Sequence, residues 1–318
     1  MKKFIKMLFI AVLALSLVAC GSTDTSDTAD TGSTDTTPTT DVINVYTRDS
    51  SSGTREAFEG AIGLEEGTLT ATASEVSSNG DMATKVGADV NGIGYTSLTT
   101  DFEANNVKPL AFEGVVASTE TVLDGTYKMQ RPFNFVTRAQ GDFESEDLEQ
   151  LVAAFIAFIT ESEEGLSVIE DVGGIVDYTN ARSWSEIAAN YPVLEQDNSA
   201  LTIRTGGSTS VEKCIKAALE AFQPLAGNAG FAMNQTGSGD GQKRTLGEEK
   251  DGANAVEIGF ASRAFKDTED VTGAMASGSF CKDAVVVVVN ATNTLEDLTA
   301  ETVNQIYSGA ITSFADVK

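Results

Sequence analysis

Apolar residues recur with two different periods along the chain from about residue 42 onward. Residues 42–47 alternate apolar and polar side chains and residues 285–289 are an unbroken valine run, so both predict strands, the second buried on both faces. Residues 145–160, 211–222 and 298–307 instead repeat apolar side chains every three or four positions, which predicts amphipathic helices. Because strands and helices alternate, the pattern predicts an α/β fold with a mainly parallel sheet in two lobes.

The first forty residues follow a different pattern. Three lysines precede an apolar run over residues 7–18, which is too short to span a bilayer and predicts a signal peptide over residues 1–19. The run ends in Leu-Val-Ala-Cys, which resembles the lipobox of bacterial lipoproteins, so we expect Cys20 to carry a lipid. Residues 20–40 are small and polar, without a large apolar side chain, and predict a disordered tether. The folded part is therefore expected on the extracellular face of the cell membrane, held there only by the lipid anchor.

Composition excludes several function classes. The 318 residues include 21 Lys and Arg against 47 Asp and Glu, a formal charge of −26, which argues against nucleic acid as a partner. There is no histidine, which excludes Ser-His-Asp and Cys-His catalysis and imidazole metal ligands, and we expect neither a metal nor a cofactor. A phosphoester hydrolase using a loop serine is a less favoured alternative, because the serine would lack an activating base. Whether Cys214 and Cys281 pair is left open.

Three loops rich in serine, threonine and glycine each lead into a predicted helix: residues 48–55, 206–210 and 237–241. A helix N-terminus presents unpaired N–H groups to an anion, hydroxyls add donors, and glycine lets the backbone approach closely. Arg48 and Arg263 stand next to such loops, and a guanidinium matches a tetrahedral oxyanion with paired donors. The loops match neither a P-loop nor a dinucleotide-binding turn, so they predict a site for a small oxyanion.

Six segments of residues 41–318 resemble the phosphate-binding proteins of high-affinity phosphate ABC importers. They are R-x-x-x-S-G-T-R-x-x-F from Arg48, G-S-T-S-V from Gly207, G-S-G from Gly237, I-G-F-A-S-R from Ile258, the strand 285–290, and Q-I-Y-S-G-A-I-T from Gln305. The resemblance implies a two-lobed type II periplasmic-binding-protein fold that captures inorganic phosphate between its lobes. It further implies a monomer that delivers phosphate to an ABC permease. A receptor for another oxyanion, such as sulfate or tungstate, and a surface phosphate sensor without transport stay open as alternatives.

The resemblance also implies roles for individual residues. It assigns hydroxyl or backbone donors in one lobe to Thr209, Ser210, Ser238 and Ser262, and ligands in the other lobe to Arg48, Ser52, Gly53 and Thr54. Arg263 stands where some members have an aspartate that accepts the proton of hydrogen phosphate and so rejects sulfate. Which carboxylate takes over this task is open among Asp49, Glu56, Glu59 and Asp240.

The order of the segments differs from that of the family. There the Gly-Ser-Thr-Ser loop comes first, whereas here residues 41–178 carry the later half of the family pattern and residues 201–318 the earlier half. This order predicts a circular permutation, with a rearranged gene as the alternative. Lobe A would then comprise residues 41–112 plus 291–318 and lobe B residues 125–285, with hinge segments between them.

Overall fold

The structure, a computed structural model, describes residues 42–317. The predicted signal peptide, the lipidation site Cys20 and the tether lie outside these residues. None of the helices between residues 42 and 317 combines the length and the hydropathy that crossing a bilayer requires.

The described chain forms nine α-helices and eleven strands. In the first part these are β1 (Asn44–Arg48), α1 (Gly53–Ile62), β2 (Ser74–Val76), α2 (Asn79–Gly87), β3 (Gly92–Ser97), β4 (Val107–Pro109), β5 (Ala111–Phe112) and α3 (Thr119–Leu123). Next come β6 (Gln130–Thr137), α4 (Glu146–Glu161), α5 (Glu163–Asp171), α6 (Trp184–Ala188), β7 (Thr202–Gly207), α7 (Glu212–Phe222), β8 (Gly230–Gln235), α8 (Ser238–Thr245) and β9 (Ile258–Ala261). The last are β10 (Ser277–Asn290), β11 (Asp297–Leu298) and α9 (Ala300–Tyr307).

The predicted strand at residues 42–47 and the three predicted helices are confirmed as β1, α4, α7 and α9. Each begins one or two residues later than the apolar pattern, and at α4 and α9 the residue before the helix is its cap. Ser52, Ser145 and Thr299 each accept the N–H of the residue three positions later, at the starts of α1, α4 and α9.

The central sheet has the strand order β2-β1-β3-β10-β6-β9-β7-β8, and β4 pairs with β10 beside this path. Strand β1 runs parallel to β2 and β3, and β7 runs parallel to β8 and β9. Between these two groups, β10 is antiparallel to β3 and β6, and β6 is antiparallel to β9. The prediction of a mainly parallel sheet is therefore right for the two groups and wrong for the centre, where the long strands β6 and β10 are antiparallel to each other and to their neighbours.

Buried apolar side chains form two separate hydrophobic cores. Core 1 is built from residues 43–129 and 284–307 together with Ile175, and core 2 from residues 133–281. Strand β10 serves both, because Phe280 and Cys281 belong to core 2 whereas the valine run that follows belongs to core 1. Two cores agree with a two-lobed α/β fold, and the exact bounds of lobes A and B stay a prediction.

The ends of the described chain meet on one side of the molecule. Ile43 N donates to Thr312 O at 2.8 Å, and Val42 forms an antiparallel bridge with Ser313. Adjacent ends are the condition under which a circular permutation preserves a fold. The permuted order itself stays a prediction.

Cys214 on α7 and Cys281 on β10 are buried and unbridged in this structure. Burial and the neighbouring Cys214 thiol raise the pKa of Cys281 well above its ordinary value. Both cysteines therefore act as small apolar side chains of core 2.

Candidate functional site

The first predicted loop forms the turn between β1 and α1. It lies where the residues of core 1 meet the residues of core 2. Phe58 anchors α1 by stacking on Tyr95 in core 1, with 3.9 Å between ring centroids. Ser52 caps the helix, and Arg55 N donates to its hydroxyl at 3.3 Å. A Cβ atom at Gly53 would collide with the hydroxyl of Ser238 and lie 2.9 Å from that of Ser262. Glycine is therefore what allows the N-terminus of α1 to approach the second and third loops this closely.

Four buried hydroxyl groups converge at this contact. Thr54 Oγ1 and Ser210 Oγ are hydrogen-bonded at 2.8 Å, and Ser238 Oγ and Ser262 Oγ at 3.2 Å. Ser262 N also donates to Ser238 Oγ at 3.0 Å. We call Thr54, Ser210, Ser238 and Ser262 the hydroxyl cluster; none is more than 3% exposed. The three predicted loops thus contribute to one place.

Two helices point their N-termini toward the hydroxyl cluster. Thr54 lies in the first turn of α1, and Ser238 is the first residue of α8. Gly239 N donates to Ser51 O at 3.2 Å, which links the start of α8 to the loop before α1. Because the N-terminus of each helix carries a partial positive charge, their approach favours an anion between them.

Arg48 supplies a fully buried guanidinium beside the hydroxyl cluster. Its Nη1 donates to Asn79 Oδ1 at 3.0 Å, and its Nη2 donates to Thr209 Oγ1 at 3.1 Å and to Asp49 Oδ2 at 3.3 Å. Asn79 Nδ2 in turn donates to Ser210 Oγ at 3.0 Å, which connects Arg48 to the cluster. Burial lowers the pKa of Arg48, while the Asp49 carboxylate acts in the opposite direction. Its buried Nε has no hydrogen-bond partner among residues 42–317, so this guanidinium has a donor to spare.

Two buried residues that we did not predict also contact the hydroxyl cluster. One is Asn79, the first residue of α2, and the other is Arg131 on β6. Arg131 donates from Nη1 to Thr54 Oγ1 at 2.9 Å, and its Nη2 is paired with Asp283 on β10 at 2.7 Å. No serine- or glycine-rich loop marks Arg131 in the sequence. The available signal is that two mainly apolar strands each contain a charged residue. These are Arg131 in β6 and Asp283 in β10, just before the valine run, and the two strands pair with each other.

Arg263 does not contact the hydroxyl cluster in this structure, although it directly follows Ser262. Its Nη1 and Nη2 donate to the two carboxylate oxygens of Glu269 at 2.7 and 2.8 Å, and its Nε lies 2.9 Å from Glu56 Oε2. Its assigned role as an anion ligand stays a prediction.

The four carboxylates considered as proton acceptors each have partners of their own. Asp49 accepts from Ser51 and Arg48, Glu56 pairs with Arg263 and Lys266, Glu59 with Arg55, and Asp240 accepts from Thr236. None of them is hydrogen-bonded to a member of the hydroxyl cluster within the described part of the chain.

Two cavities adjoin the segments that carry the hydroxyl cluster. One, of about 460 Å³, is lined by Ser51, Glu56 and Arg263 among others. The other, of about 320 Å³, is lined by Thr209, Ser210 and Lys213 among others. Lys213 Nζ donates to Thr99 O at 2.9 Å and so closes the edge of the second cavity.

The fold and this arrangement of donors define a two-lobed α/β binding protein. A family model for a PBP superfamily domain matches residues 193–317. This match agrees with the class of protein that the sequence resemblance predicted.

The chain is similar over most of its length to named phosphate-binding proteins. Phosphate-binding protein PstS 2 of Streptococcus pneumoniae serotype 4 is 29% identical over 328 residues, which cover 99% of this chain and 100% of that protein. Phosphate-binding protein PstS 2 of Streptococcus agalactiae serotype V is 29% identical over 283 residues, covering 86% and 87%. The crystal structure of a phosphate-binding protein of a phosphate ABC transporter from Streptococcus pneumoniae matches with a TM-score of 0.62 and 28% identity, over 87% of this chain and 100% of that one.

Proposed function

We propose that this protein captures inorganic phosphate at the hydroxyl cluster and delivers it to the permease of an ABC importer. One observation supports the proposal above all: three hydroxyls from the three loops, the Ser262 hydroxyl after β9 and the Arg48 guanidinium meet at a single buried point where two helices begin. The similarity to phosphate-binding proteins of ABC transporters agrees with it.

Recognition has to be local, because the whole chain carries a charge of −26 and repels an anion at long range. Salt screens that repulsion beyond about 10 Å. Inside the buried site, backbone N–H groups, hydroxyls and guanidinium groups act in a low dielectric, where each contact with an anion is stronger than in water.

Binding is coupled to the approach of the two lobes. Thr54 follows β1 and lies on α1, which packs on core 1, whereas Ser210 and Ser262 adjoin elements of core 2. An anion placed between them accepts hydrogen bonds that these side chains now exchange with each other. Its binding free energy therefore favours closure of the lobes over it.

The protein acts as a receptor and not as a hydrolase in this proposal. A serine nucleophile needs an adjacent base, and the sequence has no histidine to serve as one. Cys20 would hold the mature monomer on the extracellular face of the membrane through its lipid, and lobes A and B would close around the anion. The circular permutation would leave this mechanism intact, because the new ends lie next to each other at Val42 and Ser313.

Another oxyanion, such as sulfate, is the second candidate ligand. It is favoured by Arg263, which stands where the family resemblance leads one to expect a proton-accepting aspartate and which pairs here with Glu269. Sulfate has no proton to donate, so a site without a free carboxylate would reject it weakly.

Isothermal titration calorimetry on residues 20–318 tests the proposal with phosphate, sulfate and tungstate. We expect saturable heat with phosphate at micromolar protein. Absence of that heat contradicts the phosphate assignment, and equal affinities for phosphate and sulfate identify a general oxyanion receptor. A phosphoester assay on the same sample should give no turnover. Phosphate uptake by cells with and without the gene separates transport from sensing.

A further inference from the structure

We propose that Arg131 is a second anion-binding guanidinium of this site and that Asp283 is the residue that positions it. The inference rests on the proposed function and adds to it a ligand that comes from the connecting strands instead of from a loop.

The two residues are direct neighbours on antiparallel strands. Arg131 on β6 and Asp283 on β10 are paired in register. Asp283 Oδ2 accepts from Arg131 Nε at 3.0 Å and from Nη2 at 2.7 Å. Its other oxygen accepts from Ser97 Oγ at 2.9 Å, which fixes the carboxylate from the opposite side. Asp283 therefore holds Nε and one N–H of Nη2, and leaves Nη1 and the other N–H of Nη2 free to donate elsewhere.

The remaining N–H groups of Arg131 face the hydroxyl cluster. Arg131 Nη1 donates to Thr54 Oγ1 at 2.9 Å and to Ser262 Oγ at 3.2 Å, and Nη2 donates to Ser210 Oγ at 3.0 Å. One guanidinium thus contacts three of the four cluster hydroxyls. When these hydroxyls turn their hydrogens toward an anion, the N–H groups aimed at the same point reach its oxygens as well.

The pair is poorly explained by stability alone. The side chains of Arg131 and Asp283 are 2% and 0% exposed, and removing two charges from water costs about as much as their attraction returns. Burial lowers the pKa of Arg131 and raises the pKa of Asp283, and in each case the partner's charge opposes the shift. An anion at the hydroxyl cluster gives this guanidinium a second partner of opposite charge, which a purely structural pair would not need.

Arg204 and Glu257 provide a control pair within the same molecule. Arg204 Nε donates to Glu257 Oε1 at 3.0 Å, and the side chains of Arg204 and Glu257 are 39% and 1% exposed. This pair also joins neighbouring parts of the sheet, β7 and the residue before β9, but it contacts no member of the hydroxyl cluster.

The test compares phosphate affinities by calorimetry for Arg131→Met, Arg131→Lys and Asp283→Asn with the controls Arg204→Met and Glu257→Gln. We expect Arg131→Met to lower phosphate affinity by about 100-fold, because a desolvated charge partner of the anion is removed. Arg131→Lys should bind phosphate about tenfold more tightly than Arg131→Met, since lysine restores the charge without the paired donors. Asp283→Asn should weaken binding by about tenfold, and the two controls should change it by less than about twofold.

Nitrogen-15 NMR of labelled arginine side chains separates a ligand from a structural role. The Nε–H signal of Arg131, assigned with Arg131→Lys, should shift on addition of phosphate to the wild-type protein. In Asp283→Asn it should start from a different position and still shift, because Asp283 acts only through Arg131. The Arg204 signal should stay unchanged.

The experiments distinguish failure of the proposed phosphate-binding function from failure of the proposed role of Arg131. Wild-type protein that binds phosphate, with folded Arg131 variants of unchanged affinity or an Arg131 signal that phosphate does not move, overturns this inference alone. Wild-type protein that binds no phosphate overturns both. If Arg131→Met does not fold, Arg131→Lys and the wild-type NMR signal decide.

Discussion

Arg48 and Arg263 both adjoin segments that contribute to the hydroxyl cluster, yet their surroundings differ. Arg48 is fully buried and donates to Asn79 and Thr209 at the site. Arg263 turns to Glu269, six residues further along the chain, and approaches Glu56 on α1. A long side chain next to a binding loop is therefore directed by the acceptors around it and not by the loop itself.

Replacing Arg48 should have the largest effect. Arg48→Ala removes a buried guanidinium from the anion, leaves Asn79 Oδ1 without its donor and takes one donor from Asp49, so phosphate affinity should fall by about 100-fold or more. Calorimetry on the folded variant measures this loss. Unchanged affinity would remove Arg48 from the site and reverse the comparison with Arg263.

Disturbing the close approach of α1 to α8 should have the second-largest effect among these variants. Gly53→Ala adds a methyl group against Ser238 and Ser262, so we expect phosphate affinity to fall by about tenfold because the helix start must move away. Gly60→Ala on the same helix is the control, since a Cβ atom there meets nothing within 4 Å. It should leave affinity unchanged and raise stability by about 0.5–1 kcal/mol. Equal affinities in the two variants would contradict the proposed role of the α1 N-terminus.

Arg263→Ala should weaken phosphate binding by less than about tenfold, because its guanidinium hydrogen-bonds to Glu269 and not to the hydroxyl cluster. Calorimetric titration of this variant and of Arg48→Ala with phosphate compares the contributions of the two arginines to affinity directly. A loss as large as that of Arg48→Ala would mean that Arg263 leaves Glu269 and binds the anion, as its position in the sequence predicts.

The Arg263–Glu269 pair should contribute a small, pH-dependent stability. Burial raises the pKa of Glu269, but the Arg263 guanidinium and the N–H of Lys266 outweigh it and hold the pKa below its ordinary value of 4.5. The stabilisation is therefore fully present above that ordinary value and is lost as the pH falls through the lower, folded-state pKa. Urea unfolding should separate wild type from Glu269→Gln at about pH 7 and bring them together at about pH 3. A constant difference at both pH values would contradict the pairing.

The sequence allowed the elements that follow from periodicity and loop chemistry to be predicted. The apolar stripe of α4 and the convergence of Thr54, Ser210, Ser238 and Ser262 depend on local patterns or on six recognisable segments. Arg131 and Asn79 were not predicted as site residues, because Arg131 lies within an apolar strand and Asn79 begins a helix with no distinctive motif. Their roles depend on which strand or loop lies opposite, as in the pairing of Arg131 with Asp283, and such long-range pairing has no local signature.

The shared strand β10 has a consequence for how the protein unfolds. Phe280 and Cys281 pack in core 2, and the valine run that begins four residues after Cys281 packs in core 1. Melting of either core would pull on the same strand and expose apolar surface in the other, so neither core is an independent cooperative unit. Despite its two cores, residues 42–317 should lose their structure in one calorimetric transition, and phosphate should move that single transition to higher temperature.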